Sequence, residues 1–241
     1  GGGMTAAVSP RPSLAQRLRA TLDELGGGNA ALYWTNTAAR RLRLPVGVRR
    51  YLFVLQPVPE APLLKPHRGR AIDVRVVEPG EPALLDLPLT QAVLDYRFGQ
   101  GAVCFGAFKD GAIVGCVWLV LGPYDEDEVR CRFVRAPAAL ASWDFDVWVH
   151  PDHRSGFAFA RLWDTANAYL RARGVRWSAS RISAFNAGSL RSHGSLGARV
   201  VGSATYVSLG PLQLMTSTFR PRLSLTLRRR PDLVIPVGPD A

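Results

Sequence analysis

From Ala71 onward the apolar positions keep a regular rhythm, and its period changes along the chain. "AIDVRVV" alternates as a strand does, and "LPLTQAVLDYRF" shifts to helical spacing. "AVCFGAFKDGAIVGCVWLVLG" is two apolar runs around Asp110-Gly111, the composition of a tight hairpin turn. "VRCRFVRA" and "WDFDVWV" predict two further strands. The stretch from Phe157 to Arg173 predicts a helix. Phe159, Leu162, Trp163, Ala166 and Leu170 form its apolar stripe, and Gly174 ends it. "RWSASRIS" is a strand, Asn186 caps a short helix ending near Gly197, and "RVVGSATYVSLG" and "PLQLMTS" close the sheet. Strands before and after two helices predict one α/β sheet, mostly antiparallel early, with βα connections later.

The flanks read differently. Leu14, Leu18, Leu22 and Leu25 recur at helical spacing behind Ser13 as N-cap, and Gly26 to Gly28 stop that helix. Ala30 to Leu42 is a second helical candidate, and "YLFVLQPV" a short strand closed by proline. Residues 59–70 read as a Pro-rich basic loop. The division predicted is an N-terminal extension over 1–70 (tag residues 1–3 included), a sheet domain over 71–218, and an irregular Pro- and Arg-rich tail over 219–241.

The formal net charge is +11, and its placement matters more than its size. Residues 1–70 carry 11 Lys and Arg against 3 Asp and Glu, while residues 71–198 carry 13 against 14. Basic flanks around a neutral middle suit an acidic partner, such as an acyl-carrier protein, or a solvated Arg-rich surface. Nucleic acid fits poorly, because no helix-turn-helix, zinc or RNP pattern is present and aromatics do not interleave with the basic runs. No apolar run approaches the roughly 18 residues of a membrane span. Cys104, Cys116 and Cys131 lack metal-ligand spacing and sit in strand-like runs, as buried thiols in a reducing cytoplasm would. No metal site is expected.

The chemistry concentrates in "WDFDVWVHPDHRSGFAFARLWD", Trp143 to Asp164. A strand gives way to His153, Arg154, Ser155, Gly156 and Phe157 before the helix opens at Ala158. The first N–H groups of a helix lack internal partners, a glycine lets a phosphate approach the backbone, and an arginine adds charge. On the strand, alternation places Asp144, Asp146 and Trp148 on one face and Trp143, Phe145, Val147 and Val149 on the other. Two carboxylates there are costly to bury without partners: they either accept a proton in catalysis or pair with Arg130, Arg132 or Arg181. "YDEDEVR" offers Asp125, Glu126, Asp127 and Glu128 to a cationic acceptor, with Glu126 and Glu128 as the binding candidates, or reads as a solvated hairpin tip. Trp118, Tyr124 and Trp148 line a pocket or pack the core.

Taken in order, the strand with "HPDHRSGFA", the hairpin ahead of it and "NAGSLRSHGSLGARVVG" behind it resemble the GNAT superfamily of N-acyltransferases. The resemblance covers residues 71–215. It implies a mixed, mostly antiparallel central sheet flanked by helices, and an acyl-CoA donor. The pyrophosphate would lie on 153–158, the pantetheine arm and thioester along Val147 and Val149, and Asn186 would fall on the family's late segment. It also implies direct attack by a primary amine of a small molecule or peptide, without an acyl-enzyme. His193 stands where the family commonly has a tyrosine that protonates the departing thiolate, and an imidazolium can do the same. The loop is poorer in glycine than the family's. A catalytically inactive CoA- or nucleotide-binding protein of the same fold is the alternative.

Overall fold

In the computed structural model, residues 13–43 and 45–241 are described; the expected tag residues and the rest of 1–12 lie outside them. Two helices, α1 (Leu14–Leu25) and α2 (Gly27–Arg41), precede the first strand, β1 (Val46–Pro57). β2 (Asp73–Val77), α3 (Gln91–Gly99), β3 (Val103–Lys109), β4 (Ala112–Val120), β5 (Tyr124–Asp125), β6 (Arg132–Ala136) and β7 (Ala141–Val149) follow. Then come α4 (Ala158–Arg171), β8 (Trp177–Ser183), α5 (Ala187–Ser195), β9 (Arg199–Leu209), β10 (Leu212–Ser217), β11 (Leu223–Thr226) and β12 (Asp232–Pro236).

Nine strands form one sheet in the order β11-β10-β9-β1-β8-β7-β4-β3-β2, antiparallel everywhere except between β7 and β8. This is the expected mixed, mostly antiparallel sheet flanked by helices. The β3–β4 turn uses Asp110 and Gly111 at φ of 50° and 80°, the left-handed pair that a two-residue hairpin demands. One face carries α4, whose Leu162, Trp163, Ala166 and Leu170 are buried against Phe105, Val117 and Leu119. A three-stranded sheet, β12-β6-β5, covers part of the other face through Tyr124, Phe133, Leu233 and Ile235, which pack on Trp143 and Phe53.

Three sequence expectations change. The division at residue 70 places β1 in an extension, yet it lies at the centre of the main sheet, paired to β8 on one side and β9 on the other. Its uninterrupted run from Tyr51 to Leu55 is what a strand covered on both faces requires. The tail is not irregular: β11 extends the main sheet, and β12 pairs in parallel with β6. Gly27 and Gly28 do not stop the first helix; Gly26, at φ 76°, breaks the chain between α1 and α2, and α2 begins on the other two. The leucine stripe of α1 faces solvent, since no residue of that helix is buried.

Candidate active site

The parallel junction within the nine-stranded sheet is short. β7 and β8 pair at Ala141–Trp177, Ser142–Ser178 and Trp143–Ala179, and from Asp144 and Ser180 onward the two strands part. A cleft of about 660 Å³ occupies the opening. Its walls come from both faces of the sheet: Tyr124, Glu126, Asp127 and Glu128 from the small-sheet side, and Asn186, Ser189 and His193 from α5. The gap between the strands is therefore walled from both faces of the sheet.

Asp144 sits at the apex of the wedge, 1% exposed. The Ser142 hydroxyl donates to Ser178 Oγ at 3.0 Å, and the Ser178 hydroxyl donates to Asp144 Oδ1. This buried chain fixes the carboxyl and leaves Oδ2 without a hydrogen-bond partner. Burial pushes the Asp144 carboxyl above the usual carboxylate range, opposed by the nearby His193 and the Ser178 hydroxyl. His193 is 6% exposed; its Nδ1 lies 3.2 Å from Gln56 Oε1, and its ring stands edge-on to Trp163 at 6.2 Å. An Nδ1–H donated to the amide oxygen leaves Nε2 as the ring's second functional atom.

Strict alternation fails at Asp146. The register with β4 runs Leu119–Asp144 and Trp118–Phe145 but then Cys116–Trp148, so Asp146 and Val147 together oppose Val117. Asp146 takes φ 50° in this bulge, which reverses the faces beyond it. Phe145 and Trp148 consequently pack on one face, and Val147 and Val149 on the other. Asp146 is exposed at the cleft, where Arg97 Nη1 reaches its Oδ2 at 2.7 Å. None of the three arginines expected to pair with the two aspartates does so. Arg130 binds the carbonyls of Pro211 and Thr226, Arg132 pairs with Asp125, and Arg181 pairs with Glu126 and Glu128.

The "YDEDEVR" segment is not simply a solvated tip. Glu126 is 2% exposed and receives two guanidinium bonds from Arg181, both 2.9 Å, together with the N–H groups of Asp127 and Glu128. Burial is the first cause that raises its carboxyl, and the Arg181 guanidinium opposes it. Glu128 accepts from the Tyr51 hydroxyl at 2.6 Å and from Arg49 at 3.2 Å.

The structure thus brings Asp144, Asp146, His193, Val147, Asn186, Tyr124, Glu126 and Glu128 to one cleft. Trp118 and Trp148 do not line it. Trp118 is fully buried between Phe98 and Phe145, and Trp148 packs beside it. The Asn186 side chain caps α5 by accepting from Ser189 N–H at 3.0 Å. Sequence reasoning missed Arg97, Ser180 and Tyr51. Arg97 had a signal: it falls three residues after buried Leu94, on the inner side of α3.

The 153–158 loop lies beyond the cleft, past the end of β7. Its residues Arg154 to Phe157 are exposed, and the helix ladder of α4 starts with Arg161 N–H donating to Phe157 carbonyl. Arg154 Nε donates to Val149 carbonyl at 3.1 Å, folding that side chain over the strand end. Gly156 is not needed for backbone conformation: a Cβ there would meet only the His153 carbonyl, at 3.4 Å. Its missing side chain leaves open space above the loop. Residues 59–70 strap this end of the molecule. The N–H groups of Leu63 and Leu64 donate to the Asp164 carboxylate, and Arg68 stands 6.0 Å from the Phe157 ring.

No protein-family model and no curated protein matches the sequence. Among solved structures, the chain is similar to a tandem GNAT protein from the clavulanic acid biosynthesis pathway. That match has 17% identity, a TM-score of 0.48, and covers 68% of this chain and 54% of that one. It is also similar to a GNAT-family protein from Novosphingobium aromaticivorans, with 22% identity, TM-score 0.45, and coverage of 67% and 63%. A third is a GNAT family acetyltransferase from Elizabethkingia anophelis with acetyl-CoA bound, at 14% identity, TM-score 0.32, and coverage of 44% and 61%. The chain spans between about half and two thirds of the length of these solved chains. No helix among the described residues is long and apolar enough to cross a membrane.

Proposed function

We propose that the chain is an N-acyltransferase that moves an acetyl or longer acyl group from acyl-CoA to a primary amine by direct attack. The observation that carries this reading is the wedge between β7 and β8, where a buried, half-satisfied carboxylate and a buried imidazole line one cleft walled from both faces of the sheet. The donor approaches from the α4 side. Its pyrophosphate meets the N–H groups at the start of α4, with Arg154 beside them, and its pantetheine arm follows Val147 to Val149 into the gap. The acceptor enters from the small-sheet side.

An acceptor bound as its ammonium first gives one proton to Asp144 Oδ2, which passes it to bulk water; the freed nitrogen lone pair then adds to the thioester carbonyl, forming the C–N bond. A second amine proton passes to Asp144 Oδ2, directly or through one water, and collapse of the tetrahedral adduct breaks the C–S bond. The leaving thiolate takes its proton from His193 Nε2. Asp144 is assigned the base rather than Asp146, because Asp146 is exposed and engaged by Arg97 while Asp144 Oδ2 is unengaged. His193→Ala should lower kcat by roughly 10²-fold, the usual scale of a lost general acid, and His193→Tyr should recover part of it. Full activity in His193→Ala would mean that the thiolate leaves unassisted.

Gly156→Asp tests the donor site. The new carboxylate would fill the space above the loop and repel phosphate, so CoA affinity measured by calorimetry should fall at least about tenfold, or 1.4 kcal/mol. Unchanged affinity in the folded variant removes the assignment. The basic flanks suit an acidic acyl-carrier protein as donor. If they recruit one, its KM rises with salt more steeply than that of free acyl-CoA.

A further inference from the structure

The charges lining the cleft do not cancel. Five carboxylates face it, from Glu126, Asp127, Glu128, Asp144 and Asp146, against three guanidinium groups, from Arg49, Arg97 and Arg181, and the His193 imidazole. Every one of those guanidinium groups is already engaged. Arg97 holds Asp146 at 2.7 Å, Arg181 holds Glu126 at 2.9 Å, and Arg49 and Arg181 share Glu128 at 3.2 and 3.5 Å. Among the described residues, two of the five have no arginine or lysine in ion-pair range, Asp127 and Asp144, and Asp144 has the His193 imidazole nearby. They are not equivalent. Asp144 is buried at the apex with its Oδ2 unpartnered, whereas Asp127 is exposed at the small-sheet entrance, beside Glu126.

We infer that the acceptor carries two positive groups, a reacting amine that reaches Asp144 and a second cation held at the entrance by Asp127. This rests on the acyltransferase reading and narrows its acceptor class to diamines and related dications. Two further features fit a cationic chain. Tyr124 and Phe145, stacked at 4.6 Å, line the same cleft as the two carboxylates, and Arg97 already stands 5.2 Å from the Phe145 ring, the kind of contact a bound cation makes. Ser180, 3% exposed with its hydroxyl oxygen unpartnered, offers an acceptor in the same wedge. An amino acid fits badly. Its carboxylate would need a cation, and those lining the cleft are already matched, so it would meet Asp127 or Glu128 instead.

The test is calorimetric titration of the full chain at low ionic strength with three ligands of one chain length: putrescine, butylamine and γ-aminobutyrate. Putrescine should bind at least about tenfold more tightly than butylamine, with γ-aminobutyrate weakest, and Asp127→Asn should remove most of the putrescine advantage. Equal affinities for putrescine and butylamine, tightest binding of γ-aminobutyrate, or an undiminished advantage in Asp127→Asn would each overturn the inference. Turnover is read separately, by thiol release from acetyl-CoA. Selective putrescine binding without thiol release would remove the acyl-transfer reading and leave the dication site standing. Thiol release that does not distinguish the three amines would do the reverse.

Discussion

Asp144→Asn should lower kcat by roughly 10²- to 10⁴-fold, the span that general-base catalysis supplies, while CoA binding survives. The variant keeps the oxygen that accepts from Ser178 and replaces Oδ2, the unpartnered atom, with an amide nitrogen that accepts nothing. The same carboxyl sets the acidic limb of the rate profile. A base acts only when ionised, so activity should fall as pH drops through a pKa above the ordinary carboxylate value of about 3.9. Stability responds in the opposite sense. Because the folded-state pKa is raised above the unfolded one, the stabilising contribution of protonated Asp144 is complete below the unfolded pKa and is lost as pH rises through the folded pKa. Thermal melts of wild type and Asp144→Asn should therefore shift in favour of the variant as pH increases through that window. Wild-type kcat in the variant, or melts whose difference ignores pH, would remove Asp144 from the chemistry.

Arg181→Met should be the most destabilising single change around the cleft. It leaves the Glu126 carboxylate, 2% exposed, without its two guanidinium bonds, and an uncompensated buried charge costs about 3–5 kcal/mol. Glu126 already has a carboxyl raised by burial, and losing Arg181 raises it further. A protonated Glu126 needs no cation, so the deficit should shrink as pH falls through that raised pKa and be largest at neutral and alkaline pH. Urea midpoints at several pH values read both statements. Arg181→Met with Glu126→Leu should recover much of the loss, since an apolar pair often replaces a buried ion pair without penalty. A single variant within about 0.5 kcal/mol of wild type, the range of neutral surface changes, would contradict this account of the pair.

The course of the central strands and of α4 was legible because their patterns are local. The stripe of Leu162, Trp163, Ala166 and Leu170 needs only helical periodicity, and Asp110-Gly111 needs only turn chemistry. The place of β1 was harder to see: its run from Tyr51 to Leu55 marks a strand buried on both faces, but the strands it joins lie more than a hundred residues later. The tail misled through its prolines and arginines, which masked the alternation of buried Leu233, Ile235 and Val237. The sequence offers Asp144, Asp146 and His193 as catalytic candidates and favours Asp146 for its nearness to the strand end; all three line the cleft, and it is Asp144 whose Oδ2 is unpartnered. The bulge at Asp146 was not legible, because a single left-handed residue in an otherwise regular strand leaves no mark on the hydrophobic pattern. Nor was the Arg97–Asp146 pair, whose members lie on α3 and β7 and meet only through tertiary packing.

The central claim is acyl transfer, and product analysis tests it most directly. Acetyl-CoA and putrescine are incubated with the enzyme, and free thiol and N-acetylated amine are quantified in the same samples by mass spectrometry. The account predicts one thiol released per amide formed, with no acylated protein at any time and with rates that collapse in Asp144→Asn. Thiol release without amide, a covalent acyl-protein, or CoA binding with no turnover across a broad amine panel would contradict it.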